Sequence, residues 1–151
     1  MQEAGIILKG IHYYIEIDYK TVKGFTRIGH FNEIGSDITP VMLVDKVDEA
    51  LNKFRTNVLH LDVDTSAKAF RNEIRKLGFK NEKEFNKGAK HCAITRNEDT
   101  IEFLPSKCIP PKYYFGYLPE EKVIIKATAS KEKIYESLME ALKRCKTSEE
   151  A

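Results

Sequence analysis

The chain lacks an excess of charge of either sign. Its 25 basic and 23 acidic residues leave a formal net charge of +2. A domain that coats nucleic acid is usually far more basic, and a polyanionic mimic of nucleic acid far more acidic. Cysteine is sparse: Cys92, Cys108 and Cys145 are odd in number, widely spaced and form no Cys-x-x-Cys pair. Neither a zinc ribbon nor a disulfide scaffold is indicated, and three reduced thiols suit the cytoplasm. Long apolar runs are missing. The N-terminal run from Gly5 to Leu8 follows Glu3 and is too short and too acidic for a signal peptide, and nothing approaches a membrane span. The reading is a protein that stays in the cytoplasm. The standard catalytic motifs are absent too: no phosphate-binding glycine loop, no Gly-x-Ser-x-Gly elbow and no His-Glu-x-x-His.

What is present is an ordinary globular composition, 42% hydrophobic and 32% charged over 151 residues. That length fits one domain, large enough to bury roughly 70% of its unfolded surface. No linker or low-complexity segment divides it. A single domain over residues 1–146 is expected, with a disordered tail over 147–151.

Ile11, Tyr13, Ile15, Ile17 and Tyr19 alternate with His12, Tyr14, Glu16 and Asp18. A period of two marks a half-buried strand. After a turn at Gly24, Phe25–Phe31 alternates again and pairs back as a hairpin. Ile38–Val44 reads as a third strand, edge or broken, because Pro40 cannot donate to a ladder. Asp45 then caps a helix carrying Val47, Leu51, Phe54 and Val58. A further helix starts near Asp64, with Ala67, Phe70, Ile74 and Leu77 on one face, and Gly78 ends it. Asn81 and Glu84 form a capping-box pattern for a short helix. His91–Thr95 and Thr100–Leu104 make a second hairpin. Pro105, Pro110 and Pro111 fix an irregular crossing that leads to the aromatic cluster Tyr113, Tyr114, Phe115 and Tyr117. The run Val123–Ile125 is a strand. Ser130 caps a last helix whose apolar face is Ile134, Leu138, Ala141, Leu142 and Cys145. The expected fold is α+β, a mostly antiparallel sheet covered by about three helices.

Several residue sets could carry chemistry. His12 and His30 are either a metal or acid/base pair across the first hairpin or two solvent-facing histidines. His91-Cys92 makes a poor nucleophile and base, because adjacent strand residues point to opposite faces. Asp62 and Asp64 either share a metal or divide into a solvated acid and a helix cap. The cluster Tyr113–Tyr117 beside Lys112 resembles a base-stacking surface, but Glu120 and Glu121 flank it, and tyrosine also serves cores and protein interfaces. The residues alone describe a small α+β domain that is not an enzyme and needs no metal or cofactor.

The segment VIIKATASKEKIYESLMEALKRCK, from Val123 to Lys146, resembles the C-terminal signature of one family of bacterial contact-dependent growth inhibition immunity proteins. The signature is a strand, a small-residue bend and a Ser-capped helix closing here with Ala141-Leu142-Lys143-Arg144-Cys145. Three further stretches resemble the same family: Gly24–Phe31, Lys76–Lys80 with Glu84–Lys87, and Ile101–Pro105. Two places depart from its pattern: Lys126 stands where proline is usual, and Lys133-Ile134-Tyr135 where acid-Ile-Gly is usual.

The resemblance implies a non-catalytic protein that binds and neutralises the C-terminal toxin domain of its own system. Toxins paired with this family are similar to metal-dependent nucleases. Related immunity proteins accept a toxin β-hairpin in a sheet-edge pocket, using the free N–H and C=O groups of an exposed strand. The residues chosen as partner-binding anchors are Tyr13, Tyr14, Arg27, Tyr113, Tyr114 and Tyr117. The competing reading is an RNA- or single-strand-binding module on the aromatic-basic surface, marked by steep salt dependence.

Overall fold

Strand β1 (Gln2–Lys9) lies in the middle of the sheet, although only its apolar run marks it in the sequence. The computed structural model describes residues 1–147; Ser148–Ala151, the rest of the expected tail, lie outside the described residues. The remaining strands are β2 (His12–Thr21), β3 (Thr26–Ile34), β4 (Arg55–Val58), β5 (Lys90–Arg96), β6 (Thr100–Ile109), β7 (Tyr114–Tyr117) and β8 (Val123–Lys126). The helices are α1 (Pro40–Asn52), α2 (Val63–Lys76), α3 (Glu82–Asn86) and α4 (Lys131–Arg144).

The sheet runs β3-β2-β1-β5-β6-β7, with β4 added to β2 and β8 added to β6. Among the described strands, every pairing is antiparallel except β2 with β4. The fold is therefore the expected α+β arrangement, with four α-helices over an open, mostly antiparallel sheet.

Two cores sit on opposite faces. Ala4 and Ile6 of β1, Ile15 and Ile17 of β2, and Ile94 and Phe103 farther along face α1 and α4, meeting Leu43, Val47, Leu138 and Leu142. On the other face Ile7, Tyr14 and Phe31 meet Ile74 of α2 and Phe85 of α3. Strand β2 is thus buried on both sides from Tyr14 to Asp18, not half-buried as its alternation predicts. Tyr135, where the family pattern has glycine, packs against the first core.

Several local expectations are corrected. Ile38–Val44 is not a strand: Pro40 opens α1 and Thr39 caps it, its hydroxyl accepting from the Met42 N–H at 3.2 Å. Proline fits the first helical turn because that N–H has no partner there anyway. Asp45 is interior to α1, and the helix stops before Phe54, leaving Arg55–Val58 to form β4. Asp62, not Asp64, caps α2, accepting from Thr65 N at 2.8 Å. His12 and His30 do not face each other, since His30 pairs with Ile17 and His12 with Lys9.

Strand β6 does not end at Leu104 but runs through Pro105 to Ile109. Proline is tolerated there because pairing with β8 stops at Phe103 and pairing with β7 begins at Ser106. Chain segments after α4 return to the same strand: Lys146 N donates to Ser106 O at 3.0 Å, and Cys108 N donates to Lys146 O at 2.9 Å.

Candidate functional site

The polar alternates of β2 point beneath the second face, where α2 and α3 cover only part of the sheet. Glu16 and Asp18 are each 6% exposed, as is His91 on β5. Glu16 Oε2 lies 2.8 Å from His91 Nε2. The two residues sit on strands separated by β1, and Gly5 is the β1 residue opposite both Glu16 and Ala93. A methyl group on Gly5 would overlap the Glu16 carboxylate and come 3.1 Å from His91 Nε2. The glycine is the gap through which the two side chains meet.

Burial pushes the Glu16 carboxyl up, but the His91 charge and hydrogen bonds from His91 and Asp18 outweigh it and hold the group below its ordinary value. Asp18 goes the other way. Burial, then the neighbouring Glu16 charge, push its carboxyl up to about 10. Two buried carboxyls this close share one proton, with protonated Asp18 donating to ionised Glu16. Burial and the charges of Glu16 and Asp18 also push the Tyr117 phenol up to about 12. Asp18 Oδ1 and His91 Nδ1 are buried without a hydrogen-bond partner among the described residues.

Strand β7 folds over this cluster. Its Phe115 ring stacks on His91 with centroids 5.1 Å apart, and Tyr117 lies 5.9 Å away. The β6–β7 connection is held to α3 by Asn86 Nδ2, which donates to Tyr113 O at 2.8 Å. That bond supports Tyr113 in a left-handed conformation, φ 59°, uncommon for a residue with a side chain. Between β7, β3, α2 and α3 lies a cavity of about 210 Å³ whose lining includes Glu16, His91, Ile28, Phe70, Phe115 and Tyr117. A wider apolar cleft of about 490 Å³, with Phe25, His60 and Val63, shares Ile28 and Phe70 with it.

β7 pairs with β6 alone; among the described residues nothing pairs with its outer edge. β3 likewise pairs only with β2.

The anchors chosen from the sequence fall into separate places. Tyr114 and Tyr117, on β7, are 54% and 50% exposed. Tyr113 is partly buried beside them, with Lys83 and Lys87 over its ring. Tyr14 is 4% exposed and makes edge contacts with Phe79 and Phe85. Tyr13 faces the other core, its hydroxyl 3.8 Å from Met139 Sδ. Arg27 lies on β3 opposite Tyr19, and its side chain is outside the described part. Sequence reasoning passed over Glu16, Asp18 and Gly5. The available signal was two acids alternating with Ile15 and Ile17 in a strand later found at the sheet's interior.

The signature helix reaches this site through the backbone. Cys145 Sγ lies 3.3 Å from His91 O, and Ser106 Oγ donates to the same oxygen at 2.6 Å. All three cysteines are buried thiols, and burial raises the Cys92 and Cys145 thiols. Such thiols are inert. No described helix is long and apolar enough to cross a membrane.

Free sheet edges thus flank a pocket roofed by aromatics. The family model of the CDI immunity proteins, CdiI, matches residues 35–145. The chain belongs to that family. Two solved structures share the fold. A Neisseria meningitidis protein of unknown function aligns with a TM-score of 0.83 at 20% identity, over 96% of this chain and 95% of that one. A chain of the CdiA-CT/CdiI toxin and immunity complex from Yersinia pseudotuberculosis aligns with a TM-score of 0.80 at 19% identity, over 96% of this chain and 97% of that one. No curated protein matches the sequence.

Proposed function

We propose that this protein binds the CdiA-CT toxin domain of its own contact-dependent growth inhibition system and neutralises it stoichiometrically. The family match over residues 35–145 carries this reading. The protein acts in the cytoplasm, where its three buried thiols stay reduced, and it performs no catalysis. The resemblance noted in the sequence favours a metal-dependent nuclease as the toxin.

A toxin β-hairpin adds to the free edge of β7. An extended segment there gains main-chain hydrogen bonds, and its alternate side chains enter the pocket beside the edge. Three features support β7 over the other edges: Tyr114 and Tyr117 are exposed on it, Tyr113 flanks it, and the cavity holding Glu16 and His91 opens beside it. Exposed tyrosines supply interface area at small entropic cost. Protection demands tight binding, and a nanomolar constant is about −12 kcal/mol, so a few well-buried contacts dominate.

The experiment is co-expression with the candidate toxin domain of its own system, followed by co-purification and growth rescue. A one-to-one complex and restored growth are expected. A toxin that kills unimpeded and elutes separately overturns the reading.

A further inference from the structure

We propose that the cavity between β7, β3 and α2 receives one lysine or arginine side chain of the bound toxin, with Glu16 as its buried counter-ion. This rests on the toxin-binding reading above and adds the chemistry of the occupant.

Size comes first. At about 210 Å³ the cavity is smaller than the roughly 300–1,000 Å³ of pockets that hold drug-sized molecules. It suits a single long side chain. Its walls come next. Phe31, Phe70, Phe115 and Tyr117 present ring surface, and the acids among the lining residues are Glu16 and Glu82. Aromatic faces and carboxylates together attract a cation and repel an anion. The stem of lysine or arginine is apolar and packs on rings while the head reaches the acid.

Hydrogen bonding points the same way. Glu16, on the cavity wall, is a buried carboxylate held in its ionised form. An ammonium or guanidinium head carries only donors and so matches that carboxylate. A metal ion is a poorer match: no three His, Cys, Asp or Glu among the described residues are arranged to hold one.

Position identifies the source of the side chain. The free edge of β7 borders the cavity, and Phe115 and Tyr117, two residues apart, line it. A strand added to that edge directs every second side chain to the same face. One of them falls into the cavity.

The test has two arms. In the first, the protein alone is titrated with n-butylammonium, ethylguanidinium and, as a neutral match, n-butanol, while the His91 ring resonances are followed by NMR. Both cations should shift them saturably and the alcohol should not. No shift, or the same shift with all three, overturns the cation site. In the second, the toxin domain is titrated against wild type, Glu16→Gln and Glu82→Gln, with thermal melts to check folding. Glu16→Gln should weaken binding by about tenfold or more, and replacing one toxin lysine or arginine by alanine should give the same loss with no further loss when both changes are combined. Should Glu16→Gln melt early, Glu82→Gln, exposed on α3 at the rim, decides with an expected loss of about threefold. Full affinity in the folded variants overturns the proposal. A wild type that ignores the toxin altogether fails the functional reading and removes the toxin as the source; the first arm then reports separately on the cavity's taste for cations.

Discussion

The Glu16 carboxylate and the His91 imidazole meet at 2.8 Å across a strand that carries neither of them, in the space a side chain on Gly5 would fill. Gly5→Ala should therefore break the contact and leave each of the two groups buried without the other. The expected loss is about 1–3 kcal/mol, measured by urea unfolding at neutral pH. The same change made in a Glu16→Ala background should cost much less, because the methyl then has room.

Asp18 gives the protein a pH dependence of the uncommon sign. Its folded pKa, about 10, stands far above the value of an unfolded aspartate. Below about pH 4 both states hold the proton and the full stability is present; as pH climbs from there toward 10, the unfolded chain releases the proton and the folded chain keeps it. Stability from this group falls on the order of 1 kcal/mol per pH unit. Glu16, whose folded value is lowered, works in the opposite sense: its contribution is present above its unfolded pKa and is lost as pH falls through the folded one. Asp18→Asn should flatten the decline between about pH 5 and pH 9 and raise the melting temperature at the alkaline end.

Tyr14 and Tyr114 should separate stability from binding. Tyr14→Ala empties a buried site among Phe79 and Phe85 and should cost about 3–5 kcal/mol of folding energy. Tyr114→Ala, at an exposed position, should leave the melting temperature unchanged and weaken toxin binding about tenfold. Chemical denaturation and calorimetric titration distinguish the two.

Thr39→Ala should cost about 1 kcal/mol, because its hydroxyl accepts from Met42 N at the start of α1. If Pro40 alone set the start of the helix, the change would be silent in a denaturant melt.

The same Pro40 shows how far the sequence could be read. Its missing donor argues against a ladder, and that argument is sound; the segment is simply helical, with proline in the one turn that has no use for its N–H. Pro105 misleads in the opposite direction, since it stands between two successive pairing partners of β6. Where one face decides the structure, the pattern is legible: Ser130 and the stripe of α4, and Asn81 before α3, appear as expected, whereas β2 is a strand as expected but buried on both faces. The burial of Glu16 and Asp18 is not legible, because it depends on β5 and β7 arriving from distant parts of the chain. The tyrosines illustrate the same limit. Neighbours Tyr13 and Tyr14 enter opposite cores, while Tyr114 and Tyr117 stay exposed.

The closing turn of α4 fastens to β6 through Lys146 and to His91 through the Cys145 thiol. The end of that helix is thus a buckle: it ties the strand that carries β7 to the strand that carries His91, so two walls of the pocket hang from one clasp.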